Sequence, residues 1–309
     1  MNITVCLIAH NRQRHLSVSL EELLKISDHN KQRIQVKVLN GEFYDKNLID
    51  DLSKKFEAAN IKFENILPCP AKYFDKCKMM ADQDSEYIIK CDEDIYMSSD
   101  GWDHFLNGVN SVNWDYCGCY VPLITSGIPG IETFLDLYVD KPTRDYFREV
   151  FSLTKIPNMW GVDEYEKLTY DKDNPFKFFS DVSKIDHYYK GIHPLRVSSG
   201  LQSVLVDWLL INNNWKKPDV IMPLSKSSPV YFCNSIYLMP TRYYKEAVEG
   251  MRSNKYIFDG FDEVGMNEYI KDKDMLFITN LNSVAVHPSY NTIGLSYEKI
   301  SQKFYENIR

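Results

Sequence analysis

Tyr87 to Met97 reads YIIKCDEDIYM, and this stretch decides the fold. An apolar run, Tyr87, Ile88 and Ile89, leads into three consecutive carboxylates, Asp92, Glu93 and Asp94. A short apolar run of this kind reads as a buried parallel strand, and the C-terminal end of such a strand is where open α/β sheets bind ligands. Three adjacent carboxylates are costly there unless something cationic sits with them. Hard cations such as Mg²⁺ or Mn²⁺ take carboxylate oxygens, and a nucleotide diphosphate would complete the shell. The stretch points to a metal-assisted nucleotide site, with a solvated acidic loop as the plainer alternative.

Units of strand followed by helix precede this stretch, which is an α/β signature. Ile3 to Ala9 is a continuous apolar strand, followed by His10-Asn11-Arg12 and a helical stretch from His15 to Ile26. Ile34 to Leu39 is a second strand, ending at Asn40-Gly41. Leu48, Ile49, Leu52, Phe56 and Ala59 then share one helical face that should pack on the sheet. Ile61 to Ile66 is a third strand, and a short helix spans Tyr73 to Ala81. Beyond the acidic cluster, Trp102, Phe105, Leu106 and Val109 again have helical spacing, and Tyr116 to Leu123 returns to the sheet.

From Ile124 to Ser228 the pattern is irregular and rich in aromatic residues, with Leu201 to Ile211 as its clearest helix. Val230 to Leu238 reads as a strand, followed by a helix from Thr241, a candidate N-cap, to Met251. Met275 to Thr279 and Ser283 to Val286 read as two strands, with a last helix from Ser296. The expected organisation is one domain over 1–309: a nucleotide-binding half, 1–120, a largely helical insertion, 121–228, and a closing half, 229–309.

With 309 residues, 44% of them hydrophobic, the chain can bury a large core. The seven cysteines are an odd number without paired CxxC spacing, so reduced, buried thiols are expected rather than a zinc cage. A net charge of −7 argues against a protein that grips a phosphate backbone. Met1 to Ala9 lacks the basic start of a secretory signal, and no apolar run is long enough to span a bilayer; a cytosolic location is expected, with peripheral membrane contact left open.

The acidic cluster takes its place among other segments in a particular order. ITVCLIAHNR at the start, YFDKCKMM at 73–80, CDED at 91–94, VYFCNSIYLM at 230–239, FDGFDEVGMNEYI at 258–270 and AVHPSY at 285–290 follow one another along the chain. Together they resemble the GT-A nucleotide-sugar glycosyltransferases, near the family-2 and galactosyltransferase branches. The resemblance implies a Rossmann-like mixed sheet flanked by helices and transfer of a sugar from a nucleoside diphosphate donor, such as a UDP-sugar, to a glycan or lipid-linked glycan. Two departures stand out: Asn40 where many members carry an acidic residue, and Cys233-Asn234 where a pair of glycines is usual.

By the resemblance, Ala9, Asn11, Arg12 and Asn40 lie along the nucleotide, Lys76 contacts its diphosphate, and Cys233 and Asn234 lie under the donor sugar. CDED stands at the family's D-x-D motif. Asp94 is expected to give a metal oxygen directly and Asp92 to act through the metal's shell or the ribose, while Glu93 alternates to the other face. His287 would add a nitrogen, which suits Mn²⁺, or else cap a strand end before Pro288 as a structural histidine. One of Asp262 and Glu263 is expected to be the catalytic base; the sequence leaves the choice between them open and leans to Asp262, with Glu263 holding the acceptor. One base without a second carboxylate as nucleophile implies inversion. Lys76 and Lys78 lie about 200° apart on a helix, so only one can reach a given phosphate.

Three alternatives share the topology. A sugar-nucleotide pyrophosphorylase needs a glycine-rich phosphate loop after the first strand, which Ala9-His10-Asn11-Arg12 does not supply. A silent carbohydrate-binding protein would bind without releasing nucleoside diphosphate. A DNA-modifying sugar transferase would need a basic groove, against the acidic balance.

Overall fold

The computed structural model describes residues 2–9, 13–40, 45–67, 69–124, 135–136, 139–153, 172–173, 220–223, 235–258, 260 and 262–285. The chain divides into two compact units, Met1–Pro122 with Lys217–Ala285, and Leu123–Lys216 with Val286–Arg309.

The first unit is built on an eight-stranded mixed sheet. Its strands are β1 (Ile3–Ile8), β2 (Ile34–Leu39), β3 (Lys62–Ile66), β4 (Tyr87–Asp92), β5 (Cys117–Ile124), β6 (Val220–Pro223), β7 (Ile236–Pro240) and β8 (Leu276–Ala285), in the order β3-β2-β1-β4-β7-β5-β8-β6. β3, β2, β1 and β4 run parallel, and β7 is antiparallel to β4. Ile8 pairs with both Leu39 and Asp92, so the C-terminal ends of the three central parallel strands lie level. Asn40, Ala9 and Glu93 therefore follow one another along a single edge of the sheet.

Strand alternation divides the apolar residues between two faces. One face carries Cys6, Ile8, Leu39, Ile88, Tyr237 and Met239, packed against α4 (Tyr73–Ala81), α7 (Thr241–Arg252) and α8 (Glu263–Asp272). Ile3, Val5, Leu7, Val36, Val38 and Ile89 alternate to the opposite face and are equally buried. The remaining helices are α1 (Gln13–Leu24), α2 (Asp28–Lys31), α3 (Lys46–Ala58) and α5 (Ser99–Gly108). Asp45 caps α3 by accepting from the amides of Asn47 and Leu48, at 2.9 and 3.3 Å, and Ser98 caps α5 through Gly101 at 3.2 Å. Such caps contribute about 1 kcal/mol each.

Several sequence expectations change. The two strands expected at 275–279 and 283–286 are one, β8, because the interrupting Asn280 is itself satisfied inside the sheet, donating to Tyr120 Oη and to the His104 carbonyl. The described strand near 230–238 begins at Ile236, with Ser235 in a turn. Thr241 is not the cap of α7: Pro240 holds that place, and the Thr241 hydroxyl is buried with no hydrogen-bond partner among the described residues. The short α2 and β6 were not expected. The helices expected from Leu201 and Ser296 lie outside the described residues.

In the second unit, α6 (Lys141–Leu153) buries Phe147 and Phe151, whose ring centroids lie 6.0 Å apart. Arg144 and Arg148 both reach Asp136, at 3.2 and 2.9 Å. No described helix is long and apolar enough to cross a membrane.

Candidate functional site

The residues of YIIKCD alternate, so Ile88, Lys90 and Asp92 share the face covered by α4, α7 and α8. β4 ends at Asp92, and Glu93 and Asp94 form a turn in which the Ile95 amide returns to the Asp92 carbonyl at 3.3 Å. Strand alternation therefore stops before Glu93, and the expectation that it points away from its neighbours loses its basis. Both Glu93 and Asp94 are buried. The turn is anchored on either side: the Glu93 amide donates to the Ile8 carbonyl at 3.2 Å, and the Asp92 amide to Ser235 at 2.8 Å.

Lys90 supplies a counter-charge to the first carboxylate of the acidic run. Its side chain is 2% exposed, and its Nζ lies 2.6 Å from Oδ1 of Asp92. Burial pushes the ammonium's pKa down, but the charge of Asp92, then that of Asp262, with the Asp92 hydrogen bond and Glu263 added, lifts it above the ordinary lysine value. Lys90 stays charged inside the protein.

The second acidic pair sits at the head of α8. Gly260 precedes it with φ at +106°, a conformation that side chains rarely adopt, and this turns the chain into the helix. Gly265 lets α8 approach its neighbours: a Cβ there would stand 2.7 Å from the Ile257 carbonyl.

Asp262 has no exposed surface. Three phenols donate to its carboxylate: Tyr73 to Oδ1 at 3.0 Å, Tyr237 to Oδ2 at 2.9 Å and Tyr244 to Oδ2 at 3.3 Å. They arrive from α4, β7 and α7, so one carboxylate ties three elements to the start of a fourth. Burial first, then the Asp262 charge, raises the pKa of Tyr73 and Tyr237 well above that of an ordinary phenol. For Tyr244, burial, then Cys77, Tyr237 and Asp262, act in the same direction. All three remain protonated donors. Glu263, the first residue of α8, is half-buried rather than sealed.

Lys76, one turn into α4, is 3% exposed, yet among the described residues its ammonium has no carboxylate or hydrogen-bond partner. Lys78 turns outward, as the helical spacing requires, and pairs with Asp75 at 3.0 Å. At the end of β2, Asn40 is fully buried; its Nδ2 donates to Asn65 Oδ1 at 3.1 Å, while its own Oδ1 has no partner among the described residues. A buried acceptor left unpaired costs about 1–3 kcal/mol unless a ligand donor meets it.

Among the residues expected from sequence, Ala9, Asn40, Lys76, Asp92, Glu93, Asp94, Asp262 and Glu263 belong to the first unit. Asn11, Arg12, Cys233, Asn234 and His287 lie outside the described residues. Sequence reasoning missed Lys90 and the three tyrosines. The signal for Lys90 was present: a lysine between Ile88 and Asp92 on the buried face of a central strand requires a carboxylate nearby.

No family model matches the chain, and no curated protein matches it in sequence. Solved structures similar to it include a mannosyltransferase from Pyrobaculum calidifontis, PcManGT, in complex with GDP-Man and Mn²⁺, at 12% identity over 99% of this chain and 61% of that one, TM-score 0.48. Residues 1–349 of S. aureus TarS in complex with UDP-GlcNAc align at 11% identity over 100% of this chain and 66% of that one, TM-score 0.46. The glycosyltransferase GlyE of Streptococcus pneumoniae TIGR4 aligns at 6% identity over 98% of this chain and 60% of that one, TM-score 0.45. The chain thus spans about three-fifths to two-thirds of the length of these three structures.

Proposed function

We propose that this protein is a glycosyltransferase that moves a sugar, with inversion, from a nucleoside diphosphate donor to a hydroxyl of a glycan or glycoconjugate. The observation that carries the reading is Lys76, a nearly buried cation without a protein counter-charge among the described residues. A cation so placed is stabilised by an anionic ligand, and a diphosphate bound beyond the ends of β1, β2 and β4 supplies one. The acceptor of Asn40, on the same edge and without a partner among the described residues, then meets a donor group of the nucleobase or ribose.

The acidic turn fits a hard divalent cation. Metal sites that act on nucleotides use one or two carboxylates together with phosphate oxygens rather than an all-protein cage. Asp94 would hold the ion and Asp92 would support it; among the described residues there is no cluster of three or more His, Cys, Asp or Glu side chains able to hold a metal, and such a site does not need one. When bound, Mn²⁺ or Mg²⁺ would offset the charge that develops on the departing nucleoside diphosphate.

At the other acidic pair, where the sequence left the choice open with a lean to Asp262, burial favours Glu263. Asp262 has both carboxylate oxygens occupied by phenols and no surface open to an acceptor. It is read as the residue that fixes the head of α8. Glu263, next to it and half-buried, is read as the base that takes the proton from the acceptor hydroxyl as its oxygen attacks the anomeric carbon.

The test is nucleoside diphosphate release from a panel of UDP- and GDP-sugars with oligosaccharide acceptors and Mn²⁺. Glu263→Gln should lower turnover by about a hundredfold or more while leaving donor affinity within about threefold. Donor binding without release by the wild type would convert the protein into a binding module on the same fold.

A further inference from the structure

Lys90 has a place in this site that the reading above does not use. It lies on an internal strand, in register with Cys6 of β1 and Tyr237 of β7, so its surroundings along the sheet are covered on both sides. Its ammonium touches Asp92 at 2.6 Å, and the Asp92 side chain, 30% exposed, is the part of the pair that faces outward. The pair is thus a carboxylate at the rim of the site whose charge is already balanced from within the sheet.

A fixed cation at ion-pair distance from a carboxylate lowers the local negative potential and repels a second cation. Asp92 is held in this way, while Asp94 belongs to the turn beyond it. We propose that Lys90 is a positioning residue that keeps Asp92 out of the metal's direct ligand set, so that a divalent ion binds well only when a nucleoside diphosphate brings its own charge. The inference rests on Asp94 as the metal-binding residue. It gives the site an order: nucleotide and metal enter together, and the ion alone is held weakly.

The experiment is calorimetric titration of Mn²⁺ into wild type, Lys90→Met and Lys90→Arg, each without nucleotide and then with saturating UDP or GDP. Lys90→Met removes the charge at similar volume and leaves Asp92 unbalanced at the rim. It should bind Mn²⁺ alone at least about tenfold more tightly than wild type, with a smaller gain on adding nucleotide. Lys90→Arg, which keeps the charge, should behave as wild type. A gain in affinity is a readout that structural damage does not produce. Should Lys90→Met melt below the assay temperature, Lys90→Gln, which keeps a hydrogen-bond donor for Asp92, carries the same expectation. If the neutral variants bind Mn²⁺ alone no more tightly than wild type, while all bind it with nucleotide, the role of Lys90 is overturned and the site stands. If no variant and no wild type binds Mn²⁺ with either nucleotide, the metal reading falls together with it.

Discussion

Lys76 on α4 and Lys90 on β4 are 3% and 2% exposed, within one unit of the protein, and their surroundings differ in kind. Lys90 has Asp92 at 2.6 Å and the charges of Asp262 and Glu263 within reach. Lys76 has no carboxylate among the described residues. A buried cation with its counter-charge supplied by the chain is a property of the fold. On the proposed reading, one whose counter-charge is not among the described residues takes it from a bound ligand, and the difference would separate the residue that organises the site from the residue that meets the ligand.

The comparison can be broken first at the carboxylate behind Lys90. Asp262→Ala would leave two buried phenols and the half-buried Tyr73 without their acceptor and remove one of the charges that balance Lys90. Loss of about 3–5 kcal/mol is expected, read as the midpoint and slope of urea unfolding. An effect below about 1 kcal/mol would mean that the phenols find other partners and that Asp262 is no anchor.

The lysines themselves give the next largest contrast. Lys90→Met should cost about 2–3 kcal/mol, less than for a fully buried pair because Asp92 is 30% exposed and takes up water. Lys76→Ala should change stability by about 1 kcal/mol or less, since no partner among the described residues is left behind. Equal losses in thermal melts of the two variants would erase the distinction.

A third effect separates the sealed carboxylate from the rest of the site by pH. Tyr73, Tyr237 and Tyr244 have folded-state pKa values above the ordinary phenol value of about 10, so their contribution is fully present below that pH and is lost above it, where the unfolded chain releases protons that the folded one keeps. Stability should fall by about 1.4 kcal/mol per pH unit for each such phenol. Tyr237→Phe should make the alkaline slope shallower by one phenol's share. An unchanged slope would show that Tyr237 titrates alike in both states.

How much of this was legible in the sequence follows the range of the interactions. Periodicity located β1, β2 and β4, because alternation and helical spacing are local. It failed at β6, whose four residues carry too little pattern, and at β8, where Asn280 reads as a break until Tyr120 and His104, far away in the chain, are seen to satisfy it. The acidic turn was found because its cost is visible in consecutive residues. The lean to Asp262 as the base did not include its seal, since Tyr73 lies 189 residues away and no local pattern links them. Lys90 was legible in principle from its face of the strand, but its partner follows only from the side-chain packing.

The most direct test of the account is the affinity of wild type and Lys76→Ala for UDP and GDP, measured by calorimetry in the presence of Mn²⁺. The account predicts that one of the two nucleotides binds the wild type and that Lys76→Ala weakens it by about 30- to 100-fold at unchanged melting temperature, the effect of removing a desolvated charge partner. Equal affinity in the two proteins, or no binding of either nucleotide by folded wild type, would contradict it.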